Sequence, residues 1–353
     1  MPVFERSGFA DHEFVGFVTD RAAGLRAVIA IHNSVLGPAG GVVCMHAHAG
    51  PADAVSEVLR CSRAMTYKCA LADLPMGGGA AIIAGDPVRN KSETLLEAFG
   101  RAVDRIGGIN VCSPGAGITP DDLTAIRRRT TYVDLPGRHG EAAPATGFGG
   151  YQAIRAAAVF RLGRRHLTGL RIAVLGIGGV GWYLCKHLVA DDVEVYAADV
   201  DEVALAHAAK ACGVVPVPLD ELYRLDADIF APRLESEVLT EATVRELNAK
   251  VVCGGVDNQL AEDRLGVALA DRGILYVPDY VASAGGLISS MSDLRGTPRN
   301  AVERRVAAIH DTCLGVFARA ETDAVATSVA AERMAQDVIS ERAAARSAST
   351  VAA

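Results

Sequence analysis

The sequence predicts an α/β protein of two domains, an N-terminal mixed α/β domain and a doubly wound parallel sheet, separated by a cleft. Three observations lead there. A chain of 353 residues exceeds what one ordinary core holds. From about residue 171, short apolar runs alternate with helical stretches, the pattern of parallel strands joined by crossover helices. A glycine-rich turn links the first such run to the first such helix.

Each element has a local reason. Glu13 to His32 alternates and is rich in Val, Phe and Ile, which predicts a hairpin turning near Arg21-Ala22-Ala23-Gly24. Pro51 to Met65 has helical spacing, with Val55, Val58, Leu59 and Ser62 on one side. Ala81-Ile82-Ile83-Ala84 is a short apolar strand stopped by Gly85-Asp86-Pro87. Ser92 to Ile106 is an amphipathic helix with Leu95, Leu96, Phe99 and Val103 inward. Asp121 and Asp122 fit the first turn of a helix, where carboxylates meet the positive end of the helix dipole. Leu135 to Gly150, rich in Gly and Pro, reads as a loop and domain boundary, and a helix follows from Tyr151 to about Arg161. Buried strands are expected at 171–175, 193–198, 227–231, 251–253 and 274–277, with helices Trp182–Ala190 and Glu202–Cys212 among them. Past Gly286 the pattern is helical, and an Ala- and Ser-rich tail after about Glu341 is expected to fray.

Composition removes several function classes. A net charge of −7 argues against nucleic acid and anionic membranes, because phosphate binding needs clustered Lys and Arg. The run Arg127-Arg128-Arg129 reads as a solvated helix end. The chain has no uninterrupted apolar stretch of about 20 residues, so no membrane span is expected. Met1 to Arg6 lacks the apolar centre of a signal peptide, which points to the cytoplasm. Cys44, Cys61, Cys69, Cys112, Cys185, Cys212, Cys253 and Cys313 form no CxxC pair, so neither zinc nor a disulfide framework is expected. His46 and His48 form an HxH on one side of an expected strand but have no evident third ligand, so no metal site is assigned.

Gly176, Gly178 and Gly181 match GxGxxG between an apolar strand and a helix, the context that gives this pattern meaning. The first glycine permits the turn, the second admits a pyrophosphate, and the third lets helix pack on strand. With Gly179 and Val180, the helix start offers free N–H groups to phosphates. Asp199 ends the next strand, 23 positions after Gly176, beside Val200 and Asp201. A carboxylate there would accept from an adenosine ribose and repel a 2′-phosphate, which favours NAD over NADP.

Several blocks carry a resemblance across about residues 12–340. They are Gly24–His32, Leu36-Gly37-Pro38-Ala39, Met65-Thr66-Tyr67-Lys68, Pro75-Met76-Gly77-Gly78-Gly79, Asp257-Asn258-Gln259-Leu260 and Tyr276–Gly286. In these the chain resembles the glutamate/leucine/phenylalanine/valine dehydrogenases, leucine and phenylalanine dehydrogenases in particular, which oxidatively deaminate amino acids with a nicotinamide cofactor. The resemblance implies a substrate-binding and oligomerisation domain at 1–140, an NAD-binding Rossmann domain at 141–285, and C-terminal helices at 286–353 packing back across the cleft. It implies hinges near Pro144–Gly150 and Ser283–Gly286, and at least a homodimer. Lys68 matches the lysine that binds the substrate carboxylate, and Thr146 the residue that contacts the nicotinamide carboxamide. Gly40, Gly41, Ser113, Asn258, Leu287 and Ser290 fall at substrate-side positions, and Asp257 at a position shared by substrate and cofactor.

The reacting end departs from the family pattern. Ala80 stands where the resemblance implies the catalytic lysine, and Gly115 where it implies the proton-handling aspartate. Val42, Cys44, Asp257, Ser283 and Ser290 are further departures, and Gly40 replaces a bulky apolar residue and would admit a larger substrate side chain. Without those two groups ordinary deamination should be slow, since losing a general base costs about 10²–10⁴-fold. Hydride transfer alone asks for less. The sequence therefore reads as an NAD-dependent oxidoreductase acting on an amino acid, imine or related carboxylate with altered chemistry. Asp257, Tyr67, Cys112 or a substrate group are the candidate proton carriers. A catalytically silent NAD-binding homologue is the alternative, and a non-redox enzyme using the same nucleotide site is a third.

Overall fold

The computed structural model describes residues 3–5, 8–47, 51–107, 110–133, 142–234, 238–294 and 296–351. The chain divides into two compact units, one of residues 1–136 with 335–353, the other of residues 137–334.

The first unit holds β1 (Phe14–Asp20), β2 (Leu25–Asn33), β3 (Ala39–His46), α1 (Pro51–Leu71), β4 (Gly77–Ala84), α2 (Glu93–Arg105), β5 (Asn110–Pro114) and α3 (Pro120–Arg127). Its sheet has the order β1-β2-β4-β3-β5. The hairpin β1–β2 forms as its alternation predicts, with Asp20 opposite Leu25. β2 and β4 are antiparallel, and β3 runs parallel to both β4 and β5. The sheet is apolar on both faces because helices cover both. Ala80 and Ile82 point into a core with Val55, Val58 and Leu59 of α1. Ala81 and Ile83 point the other way, into a core with Leu95, Phe99 and Val103 of α2 and Leu123 and Ile126 of α3. Ser92 caps α2 by accepting from Leu95 N, and Thr119 and Asp122 form a capping box on α3. Arg128 and Arg129 end α3 in ion pairs with Glu93 and Glu97 of α2, so the arginine run is a solvated end, as expected.

The second unit holds α4 (Ala142–Leu162), β6 (Arg171–Leu175), α5 (Gly179–Ala190), β7 (Glu194–Ala198), α6 (Glu202–Cys212), β8 (Val215–Pro216), α7 (Leu219–Leu222), β9 (Ala227–Pro232), α8 (Glu241–Glu246), β10 (Ala249–Cys253), α9 (Arg264–Asp271), β11 (Leu275–Val277), α10 (Asp279–Ala282), α11 (Gly285–Leu294), α12 (Arg299–Ala307) and α13 (Ile309–Asp323). A last helix, α14 (Thr327–Val351), contributes residues to both units. Every pair in the sheet β11-β10-β9-β6-β7-β8 is parallel, the doubly wound arrangement the alternation predicts.

Three expectations are corrected. Residues 142–150 are not loop but the first turns of α4, and residues 135–141 of the expected boundary lie outside the described residues. Glycine weakens an isolated helix, yet here it is what lets neighbours close in. A Cβ on Gly147 would lie 2.7 Å from Tyr183 Cβ, and one on Gly149 2.8 Å from Ile309 Cδ1. The run Gly77-Gly78-Gly79 is strand, so β4 begins four residues before the apolar stretch suggests. The tail past Glu341 continues as helix, as its alanines favour, and Arg346 donates to Val35 O at 2.9 Å. Among the described residues no helix is long and apolar enough to cross a membrane.

Candidate active site

In the first unit the register gathers several of the positions expected on the substrate side. Gly40 pairs with Gly78 of β4 and Val111 of β5, and Val42 pairs with Ser113. Gly115 N donates to Val43 O at 3.0 Å. α1 lies directly on the glycine run, since a Cβ on Gly78 would stand 2.2 Å from Thr66 N, two residues before Lys68. Lys68 itself is buried near the C-terminal end of α1. Gly41 faces backbone, with its Cβ position 1.6 Å from Gly79 O, so only glycine fits there.

Ala80 and Gly115, where the resemblance implies two ionisable groups, are closely packed. Ala80 is fully buried in the apolar core with Cys44, Val55, Val58 and Leu59. A Cβ on Gly115 would lie 2.6 Å from Cys44 Sγ and 3.1 Å from Val42 Cβ. The room expected over Gly40 is also taken, because the Met76 methyl stands 2.0 Å from where a Cβ would be. Met76 follows Pro75 and is itself buried, so it fills the gap as flexible methionines do.

Of the candidate proton carriers, Cys112 is ruled out by its surroundings. It is fully buried in β5, and burial pushes its thiol up to about 12. Tyr67 is buried, packs edge-on to His32 and accepts from Gln336 Nε2 at 3.4 Å. His46 meets Glu57 at 2.8 Å, a contact that raises its pKa, and His48 lies outside the described residues. No group of three His, Cys, Asp or Glu able to hold a metal occurs among the described residues. None of the eight cysteines is in a disulfide.

In the second unit the glycine loop has the geometry a dinucleotide needs. Gly176 has φ +97°, the left-handed region that favours glycine. A Cβ on Gly181 would strike Gly176 O at 2.0 Å, whereas nothing lies within 4 Å of one on Gly178. α5 starts at Gly179 with no side-chain cap, so its first N–H groups are available to an anion. Asp199 ties this loop to β7, its Oδ2 accepting from Ile177 N at 2.5 Å and its Oδ1 from Asp201 N at 2.8 Å. Val200 beside it is largely exposed. These residues fit a nicotinamide dinucleotide, with glycine where phosphate must approach and a carboxylate at the end of the second strand.

Beyond β10, Asp257 and Asn258 precede the buried Gln259, whose N–H donates to Asp279 Oδ2 at 2.9 Å. Asn258 adopts φ +57°. Ser283 Oγ donates to Asp257 Oδ1 at 2.7 Å. Thr146 on α4 donates to Ala142 O at 3.0 Å and packs on Gly286, while Gly285 packs on Ala145 O. Leu287 and Ser290 are half-buried on α11. The two expected hinge segments are therefore largely helical and packed against each other.

Known proteins show the same organisation. Residues 14–133 match the family model of the Glu/Leu/Phe/Val dehydrogenase dimerisation domain. Leucine dehydrogenase of Bacillus cereus is 37% identical over 343 residues, covering 96% of this chain and 94% of that protein. The chain belongs to the glutamate/leucine/phenylalanine/valine dehydrogenase family. Within the family, valine dehydrogenase of Streptomyces albus is 41% identical over 337 residues, covering 94% of this chain and 93% of its own. The crystal structure of L-tryptophan dehydrogenase from Nostoc punctiforme superposes with a TM-score of 0.79 at 38% identity, covering 94% of this chain and 96% of that one.

One functional candidate was missed by sequence reading. Arg233 follows Pro232 at the C-terminal end of β9 and is buried. The available signal was its place: a cation directly after an apolar parallel strand, at the sheet edge where ligands of this fold bind.

Proposed function

We propose that this family member is an NAD-dependent oxidoreductase acting on the C–N bond of an amino acid, imine or related carboxylate, without the usual hydrolytic deamination. The observation that carries the reading is the packed apolar environment of Ala80, closed by α1 and Cys44. Neither that position nor Gly115 offers a titratable group, and packed side chains close on both. Lys68 supplies the cation for a substrate carboxylate. Thr146 is the residue for the nicotinamide carboxamide, and the loop Gly176–Gly181 with Asp199 holds the rest of the dinucleotide. A bound nicotinamide supplies or accepts the hydride. Asp257, oriented by the Ser283 hydroxyl, is the group that gives or takes the proton. The family description of residues 14–133 as a dimerisation domain supports a homodimer or higher homo-oligomer.

The test is NADH oxidation with a panel of cyclic imines bearing a carboxylate, beside 2-oxo acids with ammonia. Turnover of the imines, abolished by Lys68→Met and by Asp257→Ala, is expected. Robust deamination of a common amino acid by the natural protein would overturn the proposal. Tight NADH binding with no turnover on either panel favours the second reading, a catalytically silent NAD-binding protein, which the packing around Ala80 and Gly115 also accommodates.

A further inference from the structure

The charge that the described structure leaves least compensated lies in the dinucleotide-binding unit. Arg233 is 6% exposed. Among the described residues its Nε and Nη1 have no hydrogen-bond partner, and its Nη2 reaches Cys253 O only at 3.4 Å. No carboxylate among the described residues forms an ion pair with it. The ionisable groups facing it are the thiols of Cys185 and Cys253, which burial pushes up to about 12 and so keeps neutral. Leaving a guanidinium in this state is costly, so a purpose is called for.

The surroundings are shaped for it. Arg233 N donates to Leu175 O at 2.7 Å, which fixes the residue beside the end of β6. The guanidinium then passes between two glycines. A Cβ on Gly255, just beyond β10, would lie 1.4 Å from Nη1, and one on Gly150 of α4 2.6 Å from it. Any other residue at either place would displace the arginine. Gly150 is one helical turn beyond Thr146.

The position relative to the cofactor follows from the sheet order. A dinucleotide crosses a doubly wound sheet at the switch point, here between β6 and β9. With Asp199 receiving the adenosine half over β7, the nicotinamide half would lie toward the ends of β9 and β10, on the side of Arg233. The oxidised nicotinamide ring carries a positive charge and the reduced ring is neutral. A fixed cation in low dielectric disfavours the first and leaves the second untouched. Attraction to the diphosphate is the same for both and cancels in their ratio.

We propose that Arg233 makes this site select the reduced over the oxidised dinucleotide, biasing the enzyme toward reduction of its substrate. The inference rests on the nicotinamide-dinucleotide reading given under the proposed function. The experiment measures dissociation constants of NADH and NAD⁺ by calorimetry for the natural protein, Arg233→Met and Arg233→Lys, with thermal melting to confirm folding. The natural protein should bind NADH at least about tenfold more tightly than NAD⁺. Arg233→Met should shrink that ratio about tenfold, mainly by strengthening NAD⁺ binding, and Arg233→Lys should largely keep it. An unchanged ratio in a folded Arg233→Met overturns the proposal. If that variant does not fold, equal affinities in the natural protein overturn it, and loss of the preference in Arg233→Gln supports it. Absence of binding by either nucleotide removes the cofactor reading itself, and the inference with it.

Discussion

The two glycine-rich segments of this protein use the same residue for opposite ends. Gly77-Gly78-Gly79 is buried extended strand, with backbone of Asn33 where a Gly77 side chain would be and of Thr66 where a Gly78 side chain would be. Gly176 to Gly181 is a turn whose middle glycine faces open space. The glycines of the first segment serve internal packing, whereas Gly178 of the second borders space that no described residue fills. The same contrast extends to charge. The first unit has packed apolar side chains around Ala80 and Gly115, where the resemblance implies ionisable groups, while the second has buried an arginine with no carboxylate partner among the described residues.

This contrast can be broken most forcefully at Ala80. Ala80→Lys would place an ammonium in an apolar core beside Val58 and Leu59. A loss of about 3–5 kcal/mol in denaturant unfolding is expected, with no gain of deaminase activity. A stable, active deaminase would show that the core opens more readily than its packing suggests. Gly78→Ala comes next, because its methyl would meet Thr66 N and Ser62 O. Unfolding measurements should show a loss of about 1–3 kcal/mol.

The third prediction concerns acid. His32 is buried against His12 and Thr66, and burial holds its pKa at about 3 against an ordinary 6.5. The folded chain keeps it neutral while the unfolded chain takes up a proton below about 6.5. Its contribution is therefore complete above that pH and is lost as pH falls toward 3, at up to about 1.4 kcal/mol per pH unit. Thermal melts across that window should show the slope, and His32→Gln should flatten it. Smallest in its effect on the fold is Gly178→Ala. Its Cβ meets nothing, so stability should stay within about 0.5 kcal/mol. NADH binding should nonetheless weaken roughly tenfold by calorimetry, because the pyrophosphate comes closest there. Equal damage to fold and binding would remove the distinction between the two glycine segments.

What was legible beforehand follows this division. The hairpin at Phe14–Asn33 and the parallel strands of the second unit were readable because burial imposes a local period on sequence. The turn at Gly176, Gly178 and Gly181 was readable because a tight strand-to-helix connection imposes glycines at fixed spacing. Cys112 suggests reactivity by residue type, but its place in the core, set by distant segments, argues against a proton carrier there. Gly40 suggested space because no local signal discloses that Met76, distant in sequence, lies over it.

By itself, then, the sequence determined the two-domain α/β class, the family and the place of the glycine turn after β6, all properties written in short-range period and spacing. Tertiary structure alone decided that residues 142–150 form a helix, that the space beside Ala80 and Gly115 is shut, and that Arg233 is buried between Gly150 and Gly255. Each of those depends on which distant segments meet, and close packing makes the outcome turn on single side chains.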